Sequence, residues 1–74
     1  MSKLPRISGQ ECIKALEKAG FHIKRRHGSH IILRRNDPFS QLVVPEHKEL
    51  DRGTLRAIIR QAGLTRGEFL KLVK

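Results

Sequence analysis

Phe21-His22-Ile23-Lys24-Arg25-Arg26-His27-Gly28-Ser29-His30-Ile31-Ile32-Leu33-Arg34-Arg35 is the stretch that decides how this chain folds. Apolar and polar residues alternate on both sides of Gly28-Ser29, the period of a half-buried strand, and Gly-Ser is a turn signal. The segment reads as a β-hairpin whose register follows from its faces. In the first strand Phe21 and Ile23 share one face, with His22, Lys24 and Arg26 on the other. In the second, Ile31 and Leu33 are opposed by His30, Ile32 and Arg34. A two-residue Gly28-Ser29 loop sets Ile23 against Arg34 and mixes apolar with basic faces. A three-residue loop over 27–29 pairs Ile23 with Leu33 and Arg26 with His30. A one-residue slip turns a whole strand over, so face consistency favours the three-residue loop. It predicts His30 beside Arg26, on an outward face with Lys24 and Arg34.

Working outward, Ser8-Gly9-Gln10-Glu11 matches a capping box. Cys12, Ile13, Leu16 and Ala19 follow at helical spacing and Gly20 suits the position after a helix end, which predicts a helix over 9–19. Asn36-Asp37-Pro38 is a turn. A third strand is expected over 41–44, with Leu42 and Val44 inward and Pro45 as its stop. Asp51 can cap a second helix, in which Leu55, Ile58, Ile59 and Ala62 form one stripe ending at Gly63. Thr65-Arg66-Gly67-Glu68 is another capping box, opening a short helix with Phe69, Leu72 and Val73. No linker, repeat or low-complexity segment interrupts the chain. The expectation is one domain over 1–74 of α+β class, ordered α-β-β-β-α-α. Its three-stranded antiparallel sheet carries helices on one face and leaves the basic face open. That order resembles double-stranded-RNA-binding domains.

Sixteen Lys and Arg against seven Asp and Glu give a formal charge of +9 over 74 residues. Such an excess favours nucleic acid, an acidic protein or an anionic membrane as partner. The cations are spread over strands and helices instead of lining one amphipathic helix, which argues against a membrane surface. No purely apolar run exceeds three residues, too short for a signal or a span, so a cytoplasmic protein is expected. A single cysteine, Cys12, cannot form an intramolecular disulfide, and its place on an apolar helix face marks it as a buried hydrophobe instead of a nucleophile. There is no Trp or Tyr, the three phenylalanines fall mostly at core-like positions, and no G-x-x-G clamp is present. A protein without an aromatic platform recognises phosphates and backbone shape better than splayed bases.

His30 is the leading candidate for chemistry. A ribonuclease without metal needs a base for the ribose 2′-hydroxyl proton and donors for the charge that builds on phosphorus. A neutral imidazole with Arg26, Arg34 and Lys24 nearby supplies that minimum, and the backbone N–H groups of Gly28 and Ser29 can add an anion-binding concavity. His27 suggests a metal ligand, but Asp37, Glu46 and Glu49 show no matching spacing, so neither metal nor cofactor is expected. His47, at a strand exit, reads equally as a second proton-transfer group or as a loop histidine. His22 reads as solvated. Arg52, Arg56 and Arg60 recur every four residues along the polar face of the second helix and can track a phosphate backbone or an acidic partner. Residues 52–73 also read as a helix-turn-helix, although Phe69, Leu72 and Val73 leave its last helix little polar surface.

Leu4-Pro5-x-Ile7-Ser8-Gly9, Gly20-Phe21, Gly28-Ser29-His30, Val44-Pro45-x-His47 and Gly53-Thr54-Leu55-x-x-Ile58 together resemble the HicA toxins. Gln61-Ala62-Gly63-Leu64-Thr65 followed by Glu68-Phe69-Leu70 continues the pattern over nearly the whole chain. The resemblance implies a small prokaryotic ribonuclease with a double-stranded-RNA-binding-like fold that cleaves mRNA, with the Gly-Ser-His histidine, here His30, as the catalytic residue. It also implies a HicB antitoxin that covers the active face, and contact with operator DNA only through the antitoxin complex. Ser29 is then expected to orient the backbone or the histidine, and the products to carry 2′,3′-cyclic phosphate and 5′-hydroxyl ends. The rival expectation is a module that binds RNA or DNA without cutting it, through the basic sheet face or residues 52–73.

Overall fold

The computed structural model describes residues 4–73. Its elements run α1 (Gly9–Lys18), β1 (His22–His27), β2 (His30–Asn36), β3 (Phe39–Pro45), α2 (Arg52–Gln61) and α3 (Arg66–Val73), the α-β-β-β-α-α order of an α+β fold compatible with the double-stranded-RNA-binding type. Each helix begins where local chemistry satisfies its free N–H groups. Glu11 N donates to Ser8 Oγ at 3.1 Å and Ser8 N donates to Glu11 Oε1 at 2.9 Å, closing the expected capping box. Thr54 N donates to Asp51 Oδ2 at the start of α2, and Thr65 and Glu68 close the second box at α3. Gly20 and Gly63, just past the ends of α1 and α2, have φ of +97° and +75°, the left-handed region that glycine enters without strain.

The sheet is antiparallel with order β1-β2-β3. On one of its faces Ile31, Leu33, Leu42 and Val44 are buried in a core shared with Cys12 and Leu16 of α1, Leu55 and Ile58 of α2 and Phe69 of α3. Burial pushes the Cys12 thiol up to about 12, so it stays protonated and inert. α3 lies against α1 and α2 against β3. The C-terminal end of α2 is tied to the sheet: Arg35 Nη2 donates to Ala62 O at 3.1 Å and Ser40 Oγ to Gln61 O at 2.7 Å. A cation there meets the negative end of the helix dipole, and the same guanidinium stacks 4.7 Å from the Phe21 ring centroid. β3 starts earlier than expected because the turn after β2 is tight. Asn36 pairs directly with Phe39 across Asp37-Pro38.

The hairpin register departs from the sequence expectation. The loop has two residues, Gly28-Ser29, and His27 pairs with His30. Yet Ile23 still pairs with Leu33, as the apolar pattern demands, because the register shifts between Ile23 and Arg25. Lys24 is the extra residue of a β-bulge, which absorbs the one-residue conflict between a short turn and a consistent apolar face. Arg26 consequently pairs with Ile31, not with His30.

Candidate active site

The hairpin tip is set by backbone conformation. Gly28 has φ of +62° and no non-glycine residue among the described residues has positive φ, the arrangement of a two-residue turn with glycine first, whose twist matches that of its strands. The tip is fastened to the residue that follows the third strand, since Glu46 N donates to Ser29 O at 2.6 Å.

Side chains of directly paired residues share a sheet face, so the ladder fixes the composition of each face. Opposite the helices lie three rows: His27–His30–Pro45 nearest the turn, then Arg25–Ile32–Val43, then His22–Arg34–Gln41. His22, Arg25, His27 and His30 are exposed. Arg34 is half-buried, with its guanidinium 5.1 Å from the Phe39 ring centroid and its buried Nε without a hydrogen-bond partner. Arg25 has no ion-pair or hydrogen-bond partner among the described residues. The face is therefore cationic with an apolar floor, and Phe39 (63% exposed) and Val43 (45%) stand open on it.

Arg26 belongs to the other side. Its Nη1 donates to Glu46 Oε1 at 2.7 Å, and Gln10 Nε2 of α1 donates to Glu46 Oε2 at 3.2 Å. These two contacts, Gln10 first, hold the Glu46 carboxyl below the usual carboxylate range. Arg26 thus ties β1 to the segment after β3 instead of standing beside His30. Lys24 is exposed at the bulge. His47 is exposed two residues beyond Pro45, and its carbonyl accepts from Gly9 N at 2.9 Å. It borders a hollow of about 210 Å³ with Ser8, Gln10, Glu46 and Lys48. At that junction a Cβ on Gly9 would overlap the Pro45 carbonyl oxygen. Among the described residues no three His, Cys, Asp or Glu side chains gather into a group that could hold a metal ion.

Of the residues expected around His30, the structure brings Gly28, Ser29 and Arg34 to its strand or turn, and sends Arg26 to the helix side. Two others come to the open face that the register reading had not placed there. His27 stands directly opposite His30, and Arg25 follows one row away.

Residues 9–64 match the family model described as the HicA toxin of bacterial toxin–antitoxin systems. The chain belongs to the HicA toxin family. The matched segment runs from α1 through α2 and contains the whole hairpin, so every residue of the open face lies inside it. α3 lies beyond the match. Comparison with curated proteins found no match. No helix among the described residues is long and apolar enough to cross a membrane.

Proposed function

We propose that this HicA toxin is a metal-independent endoribonuclease that cleaves mRNA in the cytoplasm, with His30 as its base. The observation that carries the reading is an exposed histidine beside the hairpin turn, on a cationic sheet face that no helix of the described residues covers. RNA phosphates suit that face. Arg25 and Arg34 supply guanidiniums, the unpartnered Arg34 Nε offers a donor, and Lys24 adds charge at the edge of the sheet. Gly28 has nothing within 4 Å of where a Cβ would be, so a phosphate can approach the turn backbone closely. In the reaction, neutral His30 takes the 2′-hydroxyl proton as the 2′-oxygen attacks the adjacent phosphorus, leaving 2′,3′-cyclic phosphate and 5′-hydroxyl ends.

A HicB-type antitoxin covers the same face, meeting its cations with acidic groups and its exposed Phe39 and Val43 with apolar ones. Operator DNA is reached only through that complex. Replacing His30 by Ala tests the reading. A single general base contributes about 10²–10⁴-fold, so cleavage of a defined transcript and growth arrest should both disappear while circular dichroism stays unchanged. A folded His30→Ala protein that cuts RNA at the wild-type rate removes His30 from the mechanism. Salt-dependent RNA binding with no cleavage by either protein would mark a binding module instead.

A further inference from the structure

We propose that His27 is the second proton-transfer residue of this site, the acid that protonates the leaving 5′-oxygen while His30 deprotonates the 2′-hydroxyl. The inference rests on the ribonuclease reading above and supplies the partner that His30 lacks there.

The register carries it. A two-residue turn makes its flanking residues a directly opposed pair, here His27 and His30. The Cβ atoms of such a pair stand about 4.5–5.5 Å apart on one face. Had the loop contained three residues, His27 would have been spent inside it. Both imidazoles are exposed and neither has a hydrogen-bond or ion-pair partner among the described residues. The other candidate carrier at this end of the sheet, His47, lies two residues beyond Pro45 at the α1 junction, where it lines a hollow with Ser8, Gln10, Glu46 and Lys48. On β1 the next residue on the same face is Arg25; on β2, Ile32 and then Arg34; on β3, His30 faces Pro45. The nearest carboxylate beyond β3, Glu46, is held on the helix side by Gln10 and Arg26. His22 lies two rows away, opposite Arg34.

The chemistry needs two such groups. An in-line displacement places attacking and leaving oxygens on opposite sides of phosphorus, so base and acid must flank one phosphate. Two exposed imidazoles on one face of a cross-strand pair can reach either side of a phosphate seated between them. The 2′-oxygen bonds to phosphorus and the bond from phosphorus to the 5′-oxygen breaks. The 2′-hydroxyl proton passes to neutral His30, and the proton of the His27 imidazolium passes to the departing 5′-oxygen. Exchange with water then returns both rings to their starting states, with no further reactant.

The test compares His27→Gln and His30→Gln in the full chain on two substrates. One is a short RNA. The other is a ribonucleoside 3′-(4-nitrophenyl phosphate), whose phenolate leaves without a proton. His27→Gln should slow RNA cleavage by about 10²–10⁴-fold and leave the aryl ester nearly untouched, whereas His30→Gln should slow both. Wild-type kcat/KM should trace a bell against pH, needing one neutral and one protonated imidazole, and His27→Gln should lose the alkaline fall. Wild-type RNA cleavage by His27→Gln overturns the inference. So does an equal loss on both substrates, which marks a base or a positioning role and not the acid. If the wild-type protein cleaves neither substrate, or His30→Gln cleaves both normally, the ribonuclease reading itself fails and this inference with it.

Discussion

The two faces of the three-stranded sheet are made by the same residues in alternation, yet they are chemically opposite. Toward the helices, Ile31, Leu33, Leu42 and Val44 are buried, and the two cations on that side, Arg26 and Arg35, are both hydrogen-bonded. Toward solvent, Arg25 has no partner among the described residues, Arg34 leaves one N–H unpaired among them, and Phe39 and Val43 are left open. One face has its bonding capacity used internally and the other keeps it for a ligand. Net charge alone does not make this distinction. α2 also carries three arginines, Arg52, Arg56 and Arg60, but no histidine lies in that helix.

The division is sharpest in stability. Leu33→Ala, on the helix side and fully buried, should cost about 2–5 kcal/mol, a large part of what a chain this small possesses. Val43→Ala, on the open side of the adjoining strand, should stay within about 0.5 kcal/mol. Urea unfolding of both measures the contrast. Equal losses would mean that the open face is covered by something the helix-side core does not explain.

A second contrast separates two glycines. An added methyl at Gly9 meets the Pro45 carbonyl oxygen where α1 crosses the end of β3. Gly9→Ala should therefore cost about 1–3 kcal/mol by overpacking and loosen the segment holding Glu46 and His47. Gly67, inside α3 with open space around it, should respond with the opposite sign. Gly67→Ala should stabilise by about 0.4–1 kcal/mol through the unfolded chain. A Gly9→Ala protein with an unchanged unfolding midpoint would show that the α1–β3 junction gives way easily.

Local signals made most of this fold legible. Both capping boxes, the glycines after α1 and α2, and the inward stripe of β2 and β3 stand where side-chain chemistry demands. The hairpin register did not follow, and the reason is physical. Between Ile23 and Ile31 no apolar side chain marks a face, so Lys24, Arg25, Arg26 and His27 can face either way at no hydrophobic cost. Period-2 counting cannot see a bulge, which changes the residue count while keeping the apolar ends in phase. Arg26 was assigned to the wrong face for that reason, and its contact with Glu46, twenty residues away, has no local signal. Ile23 does point inward, but β1 is an edge strand and leaves it 42% exposed. The outward position of His30 was legible from the alternation of its strand; the His27 pairing needed the backbone. Deleting Lys24 tests this account. It removes the bulge residue and preserves every β1–β2 pair, so the protein should fold, with a shift in midpoint smaller than that of Gly9→Ala. Deleting Ile32 from the central strand turns part of β2 over and should unfold the protein. If the two deletions are equally damaging, the bulge is not what reconciles turn and face.

The smallest expected effect concerns the carboxylate that the helix side holds and the open rows lack. Hydrogen bonds from Gln10 and Arg26 depress the Glu46 pKa from its ordinary 4.5. A group whose folded-state value is depressed contributes stability that is fully present above the unfolded value and is lost as pH falls through the folded one. Wild-type protein should therefore lose stability on acidification below about pH 4.5 more steeply than Glu46→Gln, whose amide does not titrate. Asp51, held low chiefly by the Thr54 hydroxyl, acts with the same sign and should leave a residual slope in the variant. Arg25→Gln on the open face changes no carboxylate contact, so its acid limb should run parallel to wild type. Unfolding midpoints followed from neutral pH down through the carboxylate range distinguish the three proteins. Coincident slopes for wild type and Glu46→Gln would show that the Gln10–Glu46–Arg26 contacts are too solvated to brace the hairpin. The fixed position of the tip would then rest on the bond between Glu46 N and Ser29 O alone.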